Sequence, residues 1–235
     1  MSRNNADTSL RIFNSIEHYG LDISRAALTS GASLAPYLKA YDVDLFLSAT
    51  EADVQAAVNA EIAAALIYEP PEHFNPHTDQ LRIAFDGDAV LFAEESEKIY
   101  QEKGLEAFLT HEQKNAKKPL SEGPFTKLLR TLSFLQSEIK HDPSPIRTAL
   151  VTSRNSPAHE RVIRTLRVWG VRIDEMFFMG GVSKTAILNA FGAHMFFDDQ
   201  HVHLTEAASV VPSARVPYPS KQSVEQVLEG LEMRE

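Results

Sequence analysis

The sequence predicts an α/β fold built around a parallel sheet. Segments with helical spacing of apolar residues alternate with short buried-strand patterns, and this alternation occurs twice along the chain. Of the 235 residues, 43% are hydrophobic, which is enough to form a substantial core. Strands that alternate with helices are typical of parallel sheets with right-handed crossovers.

The chain contains an internal repeat that begins at SRNNADT and recurs at SRNSPAH. After a one-residue gap, glycines match between the copies as well as apolar residues do. The matched pairs include Gly20 with Gly170, Gly31 with Gly181, Leu38 with Leu188 and Phe46 with Phe196. Two unrelated amphipathic helices would share an apolar period but not the glycines. We therefore interpret the two segments as copies of one α/β unit.

Each copy has the pattern helix, strand, helix, strand. In the first copy, a helix ends at Gly20, and the next elements are expected at Ile23–Leu28, Leu34–Tyr41 and Val43–Leu47. In the second copy, the same order predicts elements at Glu160–Trp169, Asp174–Met179, Lys184–Phe191 and Ala193–Phe197.

Between the copies, residues 69–80 read EPPEHFNPHTDQ, with several prolines and no periodicity, which indicates a linker. A buried-strand pattern at Leu81–Phe85 follows, and another lies at Ile146–Val151. The intervening stretch has amphipathic patterns at Glu94–Leu109 and Phe125–Ile139, and the C-terminal Ser223–Leu231 is typical of a closing helix.

Composition excludes several classes of protein. The net charge of −9 argues against broad binding to nucleic-acid backbones. No stretch has the length and apolar character of a membrane span, and the polar N-terminus lacks a signal-peptide core. The sequence has no cysteine, so it has neither disulfides nor thiolate sites. These features favour a cytoplasmic protein.

Two carboxylates follow the strand Leu81–Phe85 in the sequence Asp86-Gly87-Asp88. Ligands of parallel α/β sheets bind at the carboxyl ends of strands. The first carboxylate could attack an electrophile or hold a cation, and the second could give and take a proton. Taken alone, this motif is also typical of an acidic surface turn.

Polar residues end the other predicted strands of the second copy. Thr152-Ser153-Arg154 could bind phosphate oxygens, and Asp198-Asp199 suit a hard cation. Lys184 opens a helix after two glycines, which is typical of an anion site, although the alternative is a solvated surface lysine. His201-Val202-His203 has the spacing of two ligands on one strand face, but no third ligand is evident.

This order of strand-end groups resembles the haloacid dehalogenase superfamily of phosphohydrolases. The sequence also resembles the cytosolic 5′-nucleotidase I type family over essentially the whole chain. The resemblance is clearest in the segments FDGDAVLF, PLSEGPF, ALVTSRNSPAHERVIRTLRVWG and FGAHMFFDDQ. The resemblance implies a Rossmann-like parallel sheet with strand order 5-4-1-2-3 and a small helical cap. It also implies hydrolysis of nucleoside 5′-monophosphates.

The resemblance implies a role for each strand-end residue. Asp86 would attack the phosphorus and form an aspartyl-phosphate, and Asp88 would protonate the leaving oxygen and then activate water. Thr152 and Lys184 would hold the phosphoryl oxygens. One departure is that Ala89-Val90 stands where many members of the superfamily have Gly-Thr.

The cofactor implied by the resemblance is Mg²⁺. Its ligands would be the Asp86 carboxylate, the Asp88 backbone carbonyl and Asp198, with Asp199 as a second candidate. The cation would offset the repulsion between an anionic carboxylate and an anionic phosphate.

The insert from about residue 93 to 145 occupies the position of the cap that selects the leaving group. The candidates for substrate contact there are Phe108, His111, Glu112 and Phe125, although the phenylalanines also fit a cap core and the charged pair fits a solvent-exposed surface. Ser153, Arg154 and His159 lie near the phosphate strand and are further candidates.

These elements predict a partial, degenerate repeat at residues 1–68, a linker at 69–80 and a catalytic domain at 81–235. In the first copy, Leu34 aligns with Lys184, and Ser48-Ala49 align with Asp198-Asp199, so the first copy has no active site. It also has no counterpart of the first two active-site strands. We expect the chain to start late relative to its family. Residues 1–67 would then be less well packed than the rest, or would form a homo-oligomer.

Two alternatives to nucleotide hydrolysis remain. One is a phosphatase of the same superfamily that acts on another small phosphomonoester, because one sequence does not reveal the specificity of the cap. The other is a non-catalytic nucleotide-binding or scaffold protein with a fossil site.

Overall fold

A computed structural model describes residues 1–74, 79–155 and 157–218 of the chain. Its helices are α1 (Ala6–His18), α2 (Ala35–Ala40), α3 (Glu51–Asn59), α4 (Glu95–Lys114), α5 (Thr126–Glu138), α6 (His159–Trp169), α7 (Thr185–Phe191) and α8 (His201–Ala207). Its strands are β1 (Phe46–Ser48), β2 (Ala64–Ile67), β3 (Leu81–Phe85), β4 (Ile146–Thr152), β5 (Glu175–Phe178), β6 (Met195–Asp198) and β7 (Ser213–Arg215). The predicted helix at Ser223–Leu231 lies outside the described residues.

All seven strands form one sheet in the order β1-β2-β7-β6-β3-β4-β5. Neighbouring strands are parallel except for β2 and β7, which run antiparallel with Leu66 opposite Arg215 and Ile67 opposite Ala214. The α/β class and the mostly parallel sheet predicted from the sequence are thus confirmed. The direction of the strands reverses once, where β2 meets β7.

Helices cover both faces of the sheet. Ile83, Phe85 and Leu150 point to the face covered by α5 and α6, and Ala84 points to the face covered by α7 and α8. On the same face as α7 and α8, residues of α2 and α3 pack against Ala64 of β2. Because side chains alternate along a strand, the small Ala84 and the large Phe85 serve different layers.

Two elements differ from the sequence-based expectation in the first copy and near the second acid pair. Residues 23–28 do not form a strand, and within residues 1–74, 79–155 and 157–218 their ladder pairing is limited to a single parallel bridge between Ser2 and Leu28. His201 and His203 lie on α8 and not on a strand, because Leu204 and Ala207 are buried with helical spacing.

The insert contains the long helix α4, which is kinked at Gly104, where φ is 78°. Four elements, namely α3, β2, α8 and β7, were not predicted from the sequence. Within the described residues, no helix has the length and apolar character needed to span a membrane.

Candidate active site

Three adjacent strands, β6, β3 and β4, end at the same edge of the sheet and bring Asp198, Asp86 and Thr152 together. The backbone N–H of Asp86 donates to the carbonyl of Phe197 at 2.8 Å, which extends the pairing of β3 with β6 by one residue. Parallel pairing therefore places the side chains that the sequence analysis singled out within one cluster.

Lys184 lies between two of these acids. Its Nζ atom is 2.6 Å from Oδ1 of Asp86 and 2.7 Å from Oδ2 of Asp198. Burial would lower the pKa of Lys184, but the charges of the two acids raise it overall, so the ammonium stays charged. Lys184 is reached through a turn at Gly180 and Gly181, whose φ angles of 59° and 84° favour glycine.

Asp86, Asp198 and Asp199 form a buried acidic triad, with one oxygen from each lying within 4.8 Å of the others. Burial, followed by the charges of Asp198 and Asp199, raises the pKa of Asp86 well above its ordinary value. Burial also raises the pKa of Asp199 to about 6. Three buried carboxylates that share one lysine carry excess negative charge, so the triad could hold a divalent cation.

Neighbouring side chains fix the orientation of two of these acids. His203 Nδ1 lies 3.1 Å from Oδ2 of Asp198, and Tyr218 donates a hydrogen bond of 2.5 Å to Oδ2 of Asp199. Burial opposes ionisation of Asp198, but the bond to His203 and the charge of Lys184 hold its pKa below the ordinary value. Among the described residues, Oδ1 of Asp199 is buried without a hydrogen-bond partner, as expected of an atom that is free to bind a cation.

Asp88 is held on both oxygens by Arg154. Arg154 Nε donates to Oδ2 of Asp88 at 2.7 Å, and Nη2 donates to Oδ1 at 2.6 Å. The third donor nitrogen, Nη1, lies 2.5 Å from Oε2 of Glu112. This fork geometry is among the strongest arrangements available to an arginine and a carboxylate.

Thr152 is buried at the end of β4, next to the loop that carries the two acids. A Cβ atom at Gly87 would lie 3.2 Å from Oγ1 of Thr152, which is a tight contact, so a larger residue there would displace the hydroxyl of Thr152. The hydroxyl oxygen accepts the backbone N–H of Arg154 at 3.2 Å, which orients it beside the acids.

A cavity of about 300 Å³ opens next to Asp88. Its walls come from the insert, from the residues that follow β4, from the glycine turn and from the start of α8, and are formed by Tyr100, Leu105, Phe108, Ser153, Arg154, Asn155, Gly180, Gly181, Gln200 and His203. The mixture of aromatic and polar groups suits a ligand with both kinds of surface.

A second cavity of about 450 Å³ lies between the first copy and the insert. It is lined by residues such as Val58, Ile62, Gly123 and Lys127, together with Ala89 and Tyr218. No residue of the acidic triad lines either cavity, but Asp88 and the triad's neighbour His203 line the 300 Å³ cavity and not this one, so the smaller cavity is the one tied to the candidate chemistry.

The structure does not place every predicted substrate contact in the cavity. Glu112 is only 1% exposed and forms ion pairs with Arg154 and Arg161, so it neither lines the cavity nor lies at the solvent-exposed surface. His159 packs edge-on against Phe178 and is not among the residues that line the cavity. Phe125 is fully buried in the core, whereas Phe108 does line the cavity.

Several site residues were not identified from the sequence. Tyr100, Leu105 and Gln200 line the cavity, and Tyr218 binds Asp199, but no local motif marks any of them. His203 was noticed for its spacing to His201, yet its partner is Asp198, which precedes it by about one helical turn.

Comparison with known proteins identifies a family and a relative of this chain. A family model described as 5′-nucleotidase matches residues 1–223. The human protein named cytosolic 5′-nucleotidase 1B is 41% identical over 212 residues, which cover 88% of this chain and 35% of the relative. The chain thus spans about a third of the length of that relative. No solved structure gives a significant match.

Proposed function

The chain belongs to the 5′-nucleotidase family, and on that premise we propose that it hydrolyses nucleoside 5′-monophosphates to nucleoside and phosphate. The observation that carries the proposal is the convergence of Asp86, Lys184, Asp198 and Asp199 at one sheet edge, beside a cavity that contains Asp88. The name of the human relative supports the same reaction and substrate class.

We further propose that the fold is of the haloacid dehalogenase type. Counted from β3, the sheet order β7-β6-β3-β4-β5 is the order 5-4-1-2-3 implied by the resemblance, which supports this assignment. Residues 81–235 would then form the catalytic domain, with the insert at about 93–145 acting as its cap.

Residues 1–68 are proposed to be a partial, degenerate copy of the same unit, joined through the linker at 69–80. Two backbone pairings support a shared origin. Ser2 bridges Leu28 where Thr152 pairs with Phe178, and the pair β1–β2 is parallel like the pair β6–β7. In that register, Ser2 aligns with Thr152 at the same separation as Gly20 with Gly170, so the two copies align without a gap.

The proposed cofactor is Mg²⁺. Asp86, Asp198 and Asp199 would hold it together with the backbone carbonyl of Asp88, since hard divalent cations prefer oxygen ligands. The unpartnered oxygen of Asp199 and the excess of buried negative charge fit such an ion. When bound, Mg²⁺ would offset the repulsion between the anionic carboxylate and the phosphoryl oxygens.

In the proposed reaction, an oxygen of Asp86 forms a bond to phosphorus as the bond from phosphorus to the nucleoside oxygen breaks. Asp88 donates a proton to the departing oxygen. Lys184 and Thr152 bind the phosphoryl oxygens and stabilise the charge that develops on them. Water then attacks the aspartyl-phosphate, Asp88 accepts its proton, and phosphate and the free Asp86 carboxylate are regenerated.

The nucleoside is proposed to occupy the 300 Å³ cavity between the insert and the residues after β4. Tyr100 and Phe108 offer aromatic surface to a base, while Ser153 and Asn155 offer polar groups to a sugar. The aryl faces would exclude water from the leaving group during transfer.

We also propose a cytoplasmic location, which the name of the human relative supports. A homo-oligomer formed through the first copy is supported by α1, whose Leu10 and Phe13 side chains are 64% and 43% exposed. Exposed apolar residues on one helix are typical of surfaces that bind a partner.

A phosphate-release panel tests the proposed function. Nucleoside monophosphates, sugar phosphates and phosphoserine would be assayed with Mg²⁺ and with EDTA, and Asp86→Asn serves as the inactive control. Nucleotides are expected to release phosphate only with Mg²⁺ and an intact Asp86. Turnover of sugar phosphates alone would contradict the substrate class, and turnover that survives EDTA or Asp86→Asn would contradict the mechanism.

A further inference from the structure

A buried chain of charges connects the insert to Asp88. Glu112 lies on α4 of the insert and accepts one hydrogen bond from Arg154 at 2.5 Å and one from Arg161 at 2.8 Å. Arg154 in turn holds both oxygens of Asp88. The carboxylate that faces the cavity is therefore oriented by an arginine whose own orientation depends on the insert.

The charges in this chain are balanced and almost completely removed from water. The side chains of Arg154, Arg161 and Glu112 are 2%, 5% and 0% exposed. Burial opposes ionisation of Glu112, but the charge of Arg154 and a bond from Ser96 hold its pKa below the ordinary value. Removing one member would leave an uncompensated buried charge, so the four groups are expected to keep one arrangement.

The contacts around Arg154 leave it little freedom. Its three donor nitrogens are all used by Asp88 and Glu112, and the ring of Phe108 covers the guanidinium at 5.4 Å. Each terminal nitrogen keeps one further N–H, and Arg154 lines the cavity, but the three bonds to Asp88 and Glu112 fix where the guanidinium lies. By binding both oxygens of Asp88, Arg154 fixes the direction of that carboxylate.

We propose that Glu112 is a positioning residue that acts through Arg154 to direct the carboxylate of Asp88 at the leaving-group oxygen. Proton transfer to the nucleoside then depends on the contact between Glu112 of α4 and Arg154. This inference rests on the proposed function, in which Asp88 is the proton donor. It assigns Glu112, which does not line the cavity, to the orientation of an acid through Arg154, and not to contact with the base or ribose.

Leaving groups of different basicity separate this role from a structural one. A nucleoside oxygen needs a proton as it departs, whereas p-nitrophenolate leaves without one. The value of kcat/KM reports the steps up to the first irreversible one, which is the departure of the leaving group. Glu112→Gln should therefore lower kcat/KM for a nucleoside monophosphate by about 30-fold or more, and for p-nitrophenyl phosphate by less than about threefold.

The matched control is Glu122→Gln, which changes another glutamate of the insert that is paired with an arginine at the surface. It should leave both substrates within about twofold of wild type. If Glu112→Gln does not fold, Arg154→Lys keeps the charge but loses the fork, and the same selective loss is expected.

A double-mutant cycle supplies the second readout. In the Asp88→Asn background, Glu112→Gln should cause no further loss on the nucleotide, because the residue through which it acts is already gone. Equal losses on both substrates, or a full further loss in that background, would overturn the proposal. A wild-type protein that hydrolyses other alkyl phosphates but no nucleotide would overturn the proposed function alone, and the comparison of alkyl with aryl substrates would still test Glu112.

Discussion

The hydroxyl of Tyr218 donates a hydrogen bond of 2.5 Å to Oδ2 of Asp199, and the backbone carbonyl of Tyr218 accepts a bond of 2.8 Å from Gln55. Gln55 lies on α3 of the first copy, and Asp199 belongs to the acidic triad. Gln55, in the segment whose sequence lacks the lysine and the acid pair, therefore holds Tyr218 in place, and Tyr218 orients Asp199, a candidate ligand of the cation.

Tyr218→Phe should weaken cation binding because it removes the donor that fixes Asp199. A hydrogen bond to a charged group is worth about 1.5–3 kcal/mol, so the Mg²⁺ concentration for half-maximal activity should rise about tenfold. Activity at saturating Mg²⁺ should stay within a few-fold. Tyr37→Phe, at an exposed position of α2, is the control. An unchanged Mg²⁺ requirement would show that the bond does not matter.

Lys184→Met should abolish most of the activity and also create a dependence of stability on the cation. Without the ammonium, Asp86 and Asp198 face each other with no buried positive charge between them. The loss of a phosphate-binding donor should lower kcat/KM by at least about 10²–10³-fold. Differential scanning calorimetry should show a larger rise in melting temperature on adding Mg²⁺ than in wild type. An equal rise in both proteins would contradict this.

Asp199→Asn should change how stability depends on pH in the presence of EDTA. Burial raises the pKa of Asp199 to about 6, so the folded state binds more protons than the unfolded state between about pH 4 and 6. The contribution of this group to stability is then largest at low pH and is lost as the pH rises through about 6. Urea unfolding at pH 5 and 7 should show a smaller decrease in the variant. A decrease that is equal in both proteins would exclude Asp199 as its source.

Gly123→Ala should destabilise the fold strongly. A Cβ atom there would lie 2.6 Å from the carbonyl oxygen of Val90 and 2.7 Å from that of Phe92, and backbone atoms cannot move aside easily. The expected loss in the free energy of unfolding is about 3 kcal/mol or more. Gly170→Ala is the comparison, because its Cβ would meet nothing within 4 Å and only its left-handed φ of 66° opposes the change. It should cost about 1 kcal/mol, and an equal cost at both sites would refute the steric argument.

Much of the catalytic half could be predicted because its signals are local. The apolar runs that end in Asp86, Thr152 and Asp198 predict both the strands and the position of the acids, and parallel pairing then brings them together. The short β2 and β7 were not predicted, because no acid pair or hydroxyl motif follows them as Asp198-Asp199 follow β6. Residues 23–28 were predicted as a strand, but a strand needs a neighbour, and among the described residues they pair only through the bridge from Leu28 to Ser2.

The parts of the site that were misjudged depend on long-range charge pairing. Glu112 was considered as a substrate contact or as a solvent-exposed residue, and a glutamate is almost never fully buried unless it is paired. Its burial requires Arg154 and Arg161, which come from a loop and a helix much later in the chain. No spacing rule relates such residues, so only the three-dimensional arrangement reveals that they form one network.

The pairing of β2 with β7 also bears on the order in which the molecule folds. Leu66 and Arg215 lie far apart in the chain, so this contact closes a loop that contains nearly all of the catalytic half. Contacts between distant segments form late because their loop entropy is lost before the contact stabilises the fold. We therefore expect β1 and β2, whose mutual pairing is local in the chain, to join the rest of the sheet late in folding, although they leave the ribosome before β7 does.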